Sequence, residues 1–183
     1  MRHLKGADYV CSTWSGGTTT QIAIAPEGAL YAERDFLWRV SSAGVELEES
    51  DFTALPDYDR FIATLEGEMT LTHDGGEEIM LCPFAVHAFD GGVRTHSVGR
   101  CTDFNLMLRK GRCRGSLQAL ALAAGEVCEA APKGEWVLYC AEGGAVLGEI
   151  TLARGESACG TEPFSLRACE ASVFMLAEIE KII

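Results

Sequence analysis

No apolar run in the chain approaches the ~20 residues that a membrane-crossing helix needs, and no apolar leader follows Met1-Arg2-His3-Leu4-Lys5. Neither a membrane span nor a signal peptide is expected, and the sequence reads as that of a cytoplasmic protein. Basic residues are scarce as well: 15 Lys and Arg stand against 27 Asp and Glu, a formal net charge of −12. Phosphate backbones and anionic membrane surfaces are gripped by clustered Lys and Arg. Nucleic acid and membrane are therefore set aside as partners. The one basic cluster, Arg109-Lys110-Gly111-Arg112-Cys113-Arg114, reads as a short exposed turn between strands.

Several chemical signatures are missing too. The eight cysteines (Cys11, Cys82, Cys101, Cys113, Cys128, Cys140, Cys159 and Cys169) include no Cys-x-x-Cys pair, so a structural zinc site lacks its usual spacing. With no export signal they read as buried, reduced thiols, Cys82 and Cys140 lying inside apolar runs. Trp14-Ser15-Gly16-Gly17-Thr18-Thr19-Thr20 is not followed by the Gly-Lys of a phosphate-binding loop. Ser97 follows His96, but adjacency in sequence makes no nucleophile–base pair. No catalytic residue is assigned.

What is present is β pattern. Hydrophobic residues make up 48% of 183 residues, enough for a sizeable core. Apolar and polar residues alternate over Gln21–Ala25, Leu37–Ser42, Phe61–Leu65, Glu68–Thr72, Asp103–Leu108, Trp136–Cys140 and Val173–Ile179. Glycine clusters at 15–17, 74–76, 90–92 and 142–144 punctuate them. Ser116–Ala124 fits either strand or helix and is read as strand. A short helix is expected near Phe52–Leu55.

The chain also repeats itself. Phe61 to Leu71 and Val137 to Leu147 each place an apolar strand before Glu-Gly and a second strand after it, with Pro-Phe further on (Pro83-Phe84, Pro163-Phe164). A glycine there supplies the positive φ that a tight turn requires. Two unrelated hairpins of similar pattern are the plainer alternative. Strand, acidic residue, glycine, strand is how a cupin barrel turns its central hairpin. The expected fold is all-β: a bicupin of two tandem cupin-type, jelly-roll-like barrels, residues 1–110 forming the first and 111–183 the second, smaller one.

Metal-binding cupins use His-x-His, a Glu and a later His. Here the hairpin reads Glu66-Gly67-Glu68-Met69-Thr70-Leu71-Thr72-His73, and His73, His87 and His96 are irregularly spaced. No metal or other cofactor is assigned; His87 with Glu68 or Asp90 is the weak alternative.

Residues two apart in a strand share a face. Arg39 and Ser41 therefore point together, as do Arg60, Ile62 and Thr64, and Cys101, Asp103 and Asn105. These polar faces look either to water, with cross-strand ion pairs, or into a barrel lumen. In a lumen the charges need partners or a ligand. Arginine grips a planar carboxylate with two parallel hydrogen bonds, and Asp103 can orient one Arg while the other stays free. In the Trp14–Thr20 stretch, glycines allow close backbone approach and hydroxyls supply donors and acceptors, though a plain capped loop has the same composition.

Several blocks in order resemble the HutD/Ves family: Trp14-Ser15-Gly16-Gly17-Thr18-Thr19, Asp35 to Ser41, Asp51-Phe52, Leu55-Pro56, Tyr58-Asp59-Arg60, Leu65-Glu66-Gly67, Pro83-Phe84, Phe89-Asp90-Gly91 and Cys101 to Asn105. They cover residues 14 to about 111; the second half matches by pattern alone. The resemblance implies a metal-free bicupin linked to histidine degradation, sensing a formylated or formiminated glutamate; other members are described as stress-induced. Strand parity and membership in these blocks together select Trp14, Thr18, Arg39, Ser41, Arg60, His87, Phe89, Asp103 and Asn105 as the ligand-binding set. The expected partner is a small anionic carboxylate, and a homodimer is compatible with the reading. Two other readings stand beside it. One is a metal-independent cupin enzyme, an isomerase or hydrolase using His87, Glu68 or Asp103. The other is an interaction protein that presents a barrel edge or face to a regulator.

Overall fold

A computed structural model describes residues 1–182. The first eleven strands are β1 (Arg2–Leu4), β2 (Val10–Trp14), β3 (Gly17–Ala25), β4 (Trp38–Val45), β5 (Glu49–Asp51), β6 (Tyr58–Gly67), β7 (Met69–His73), β8 (Glu78–Leu81), β9 (His87–Asp90), β10 (Thr95–Val98) and β11 (Cys101–Arg109). Eight more follow: β12 (Cys113–Leu122), β13 (Val127–Ala130), β14 (Glu135–Glu142), β15 (Gly144–Leu147), β16 (Ile150–Ala153), β17 (Ser157–Gly160), β18 (Phe164–Ala168) and β19 (Ser172–Lys181). The fold is all-β and bicupin in architecture.

The strands form four sheets, ordered β2-β3-β4-β11-β6-β9, β5-β10-β7-β8, β1-β17-β14-β19-β12 and β13-β18-β15-β16. Within them β4-β11-β6-β9 and β5-β10-β7-β8 map onto β12-β19-β14-β17 and β13-β18-β15-β16 by a constant step of eight strands. The register agrees in detail. A bulge sets Leu65 out of the β6–β11 ladder and another sets Ala141 out of the β14–β19 ladder at the matching place. The turn glycines Gly67 and Gly143 have φ of +75° and +72°. A Cβ would come within 2.6 Å of the Arg100 carbonyl oxygen at the first and 2.3 Å of Ser172 Oγ at the second. The Glu-Gly repeat in the sequence is thus the same hairpin built twice.

Each half is a pair of facing sheets closed by side chains. Ile62 and Cys101 of one sheet pack with Met69, Leu71 and Leu81 of the other in the first half. Leu138, Phe174 and Leu176 pack with Leu147, Leu152 and Leu166 in the second. The two halves meet through the outer faces of their larger sheets: Val40, Phe104, Leu106 and Leu108 lie against Leu117, Val137, Met175 and Ile179. The Phe104 and Tyr139 rings are 5.2 Å apart across this seam. Each such side chain contributes roughly 1.5–3 kcal/mol by leaving water. Because one face of β4 and β11 is covered by the second half and the other by the lumen, most of their residues are buried and none is exposed.

Three local expectations change. The strand at 2–4 belongs by pairing with β17 to the second half's sheet, pinned by Tyr9, whose hydroxyl donates to the Gly155 carbonyl and bonds Ser157. Phe52–Leu55 is not helical: Phe52 and Leu55 donate their N–H groups to Thr95 and Gly91, and Pro56 next in sequence disfavours helical φ/ψ at Leu55. The cysteines are free but not uniformly buried. Cys82 is exposed because the alternation turns Leu81 inward. Burial pushes the Cys101 and Cys140 thiols up to about 12. In the basic turn, Lys110 reaches Asp90 and Arg114 reaches Glu180. No helix among the described residues is long and apolar enough to cross a membrane.

Candidate functional site in the first barrel

Strands β4, β11 and β6 lie side by side, and their register builds three rows on the lumen face: Arg39–Met107–Arg60, Ser41–Asn105–Ile62 and Ala43–Asp103–Thr64. Strand β9 sets Phe89 beside Arg60 and His87 beside Ile62. Strand β3 sets Gln21 beside Ser41.

These side chains form a buried polar layer. Arg39 donates from Nε to Gln21 Oε1 at 2.8 Å and from Nη1 to Ser41 Oγ at 3.0 Å. Arg60 donates from Nη2 to Asn105 Oδ1 at 2.8 Å. Asn105 in turn donates to Asp103 Oδ1 at 2.7 Å, and the Ala43 N–H reaches the same oxygen at 3.2 Å. Aromatic faces carry the guanidinium groups: Arg39 lies 4.5 Å from the Tyr31 ring centroid, and Arg60 lies 4.8 Å and 5.1 Å from those of Phe52 and Phe89. Clusters of hydrocarbon bound the layer. Phe36, Leu55, Tyr58 and Met107 form one, and Val45, Ile62, Met69 and Leu71 belong to the other.

The charges do not balance locally. Arg39 and Arg60 are 6% and 7% exposed and Asp103 is 4% exposed. The ion pairs of other arginines, such as Arg2, Arg94, Arg100, Arg114 and Arg154, are made at the surface; Arg39 and Arg60 make none among the described residues. Burial disfavours the charged form of both guanidinium groups, and each group's proximity to Asp103 offsets this in part. Burial also lifts the Asp103 carboxyl to about 7, against the pull of Arg60 and the hydrogen bonds from Ala43 and Asn105. Two polar atoms of the layer, Arg60 Nε and Thr64 Oγ1, are buried with no partner.

Beside this layer His73 and His87 share a hydrogen bond, Nε2 to Nε2 at 2.9 Å, that bridges the two sheets. His73 also bonds Thr95 Oγ1 through Nδ1 at 2.9 Å. Phe89 packs on both imidazoles. Burial lowers the pKa of both rings, and His73 lowers that of His87 further. Among the described residues no three His, Cys, Asp or Glu side chains converge as a metal site. Asp90 is exposed and held by Lys110 and the Gly92 N–H; Glu68 lies at the surface near Cys82.

The structure therefore brings together Arg39, Ser41, Arg60, Asp103 and Asn105, with Phe89 and His87 adjoining through Arg60. It sets Trp14 and Thr18 apart. Both are exposed in the β2–β3 hairpin, where Thr18 pairs with Gly44 on the face away from the lumen. Trp14 instead covers Gly16, leaving no room there for a Cβ. Sequence reading missed Gln21, Tyr31, Phe52 and His73. Gln21 is hidden by a bulge between Gln21 and Ala23 that reverses the strand's parity. A cleft of about 930 Å³, lined in part by Gln21, Tyr31 and Arg39, opens beside the Arg39 end of the layer; Arg60, Asp103 and Asn105 do not line it.

Two units of facing sheets built on the same eight-strand plan, joined back to back, with a polar layer in one lumen, define a bicupin. Solved structures agree. A conserved protein of unknown function from Pseudomonas aeruginosa PAO1 is 27% identical with a TM-score of 0.83, covering 98% of each chain. HutD from Pseudomonas fluorescens SBW25 is 21% identical with a TM-score of 0.80, covering 100% of this chain and 99% of its own. The Escherichia coli pirin YhhW, solved with nickel(II), shares the fold at 9% identity and a TM-score of 0.75. Protein Ves of Cronobacter sakazakii is 35% identical over 107 residues, and that match spans 56% of each chain. The HutD family profile matches residues 6–176. The chain belongs to the HutD family.

Proposed function

We propose that the protein is a non-catalytic small-molecule binder whose first barrel takes a small anionic, carboxylate-bearing ligand. Its role is that of a cytoplasmic sensor or regulator in histidine or amino-acid catabolism, with formylated or formiminated glutamates as the ligand class. The observation that carries the reading is the pair of buried guanidinium groups with no carboxylate paired to either. Two buried cations against the single carboxyl of Asp103 are only partly compensated, which is costly, and a carboxylate ligand supplies the missing charge. Arg39 Nη2 and Arg60 Nε and Nη1 make no hydrogen bond in the layer, so donors for a planar anion remain. The cleft at Arg39 offers the approach.

Thermal denaturation with N-formylglutamate and other small dicarboxylates tests it. A ligand at 100 times its Kd adds about 2.7 kcal/mol to folding stability, a rise of several degrees in Tm. If none of these acids moves Tm, the reading fails. The elevated Asp103 carboxyl favours a second reading, a metal-independent enzyme with Asp103 as general base. Turnover of a bound acid, abolished by Asp103→Asn, is its signature.

A further inference from the structure

We propose that the cleft between the barrels is a ligand site of its own and takes an amphipathic monocarboxylate, its carboxylate on Arg39 and its aryl or alkyl body along the apolar wall. The inference rests on the anion-binding reading above for the charge on Arg39 and goes beyond it in place and in ligand class. Arg39 and Arg60 belong to different compartments. Gln21 and Tyr31, two of the groups that hold Arg39, line the cleft with it. Arg60 and its partners Asn105, Phe52 and Phe89 do not. The cleft measures about 930 Å³, within the range of small-molecule sites.

Charge and hydrocarbon both fit that ligand. Three cations line the cleft. Arg2 pairs with Glu27 and Lys181 with Glu135, all four within the lining. Arg39 makes no ion pair among the described residues, and its Nη2 makes no hydrogen bond there. One unpaired cation calls for one carboxylate; a second acid group on the ligand finds the other cations taken. Leu30, Val10 and Met1 are three of the four most exposed large apolar side chains among the described residues, at 62%, 60% and 58%, and all three line this cleft. Exposed hydrocarbon gathered around a concavity marks a place where something apolar covers it. The wall continues inward through Ile24 and Trp38 of the first barrel and Trp136 of the second, so a ligand body seated there touches both barrels.

The test is calorimetric titration with 3-phenylpropionate, acetate and N-formyl-L-glutamate. The wild-type protein is expected to bind 3-phenylpropionate about 10- to 100-fold more tightly than acetate, the worth of burying an aromatic body. Arg39→Met is expected to weaken 3-phenylpropionate at least about 10-fold. Leu30→Ser, at an exposed position, is expected to weaken it about 3-fold and carries the test if Arg39→Met does not fold. Arg60→Met is expected to weaken it less than about 2-fold while N-formyl-L-glutamate is lost. Equal binding of 3-phenylpropionate and acetate by the wild-type protein overturns the proposal. So does a loss of 3-phenylpropionate on Arg60→Met with none on Leu30→Ser, which puts the acid in the lumen. In both cases binding of N-formyl-L-glutamate leaves the anion reading standing. If none of the three acids binds, the anion reading fails and this proposal with it.

Discussion

The two barrels share one backbone plan and fill it with opposite chemistry. The matched registers place Trp136 where the first barrel has Arg60, Leu138 for Ile62, Cys140 for Thr64, Leu176 for Asn105 and Phe174 for Asp103. Strand β17 sets Ala158 for His87 and Gly160 for Phe89. Gly160 is forced small, since a Cβ there would come within 2.8 Å of the Trp136 ring. The second lumen is therefore uncharged and predominantly apolar at these positions, and the first carries charge at the same depth. A close-packed interior resists change of even a methylene, and that lumen stabilises the fold. A lumen with buried, only partly compensated charge sacrifices stability, and such sacrifices collect at functional sites.

Exchanging chemistry between the lumens is the severest way to break this contrast. Phe174→Asp puts a carboxylate where no guanidinium faces it, and a loss above ~4 kcal/mol is expected; chemical denaturation should show the variant unfolded or nearly so. Truncation at equivalent positions sharpens it next. Trp136→Ala is expected to cost about 3–5 kcal/mol with ligand binding retained. Arg60→Met is expected to change stability by no more than about 1 kcal/mol, in either direction, because a cation is traded for a hydrocarbon of similar volume. It should weaken anion binding at least ~30-fold. Equal behaviour of these two variants would show that the lumens do not differ in role.

Acid and alkali give a smaller separation. His73 and His87 have pKa values lowered by burial. Their stabilisation is complete above the ordinary value of 6.5 and is lost as pH falls below it, when both Nε2 atoms become donors. Asp103 acts with the opposite sign. Raised from 3.8 to about 7, it favours folding at low pH and withdraws that contribution as pH rises through 7. Amide exchange followed strand by strand should place both limbs in the first barrel. His87→Asn should flatten the acid limb, at a cost near 1 kcal/mol for the hydrogen bond, and Asp103→Asn the other. The smallest effect is expected at the Arg154–Glu66 ion pair that joins the barrels. It is exposed, and Arg154→Ala should cost less than about 1 kcal/mol in a denaturant titration.

Period-two alternation was enough to put Arg39 with Ser41, and Asp103 with Asn105, on single faces, and to set Arg60, Ile62 and Thr64 together. It failed at Gln21, where a bulge reverses parity. It was silent on Tyr31, Phe52 and His73, which reach the layer from loops or the opposite sheet. Trp14 and Thr18 show the reverse. Their Gly-Gly surroundings have the composition of a ligand loop, and the same composition makes the β2–β3 hairpin turn.

The sequence by itself determined the all-β class, the repeated Glu-Gly hairpin and the partition of side chains between the two faces of each strand. All three follow from local rules: alternation within a strand, and glycine where φ must be positive. Only the tertiary structure decided that the polar face of β4, β11 and β6 looks into a lumen instead of water. The opposite face is largely apolar over the same strands, and the burial of its apolar residues against the second barrel leaves the polar face turned toward the first barrel's smaller sheet. Which surface covers which is settled by contacts between residues distant in the chain, and alternation carries no record of them.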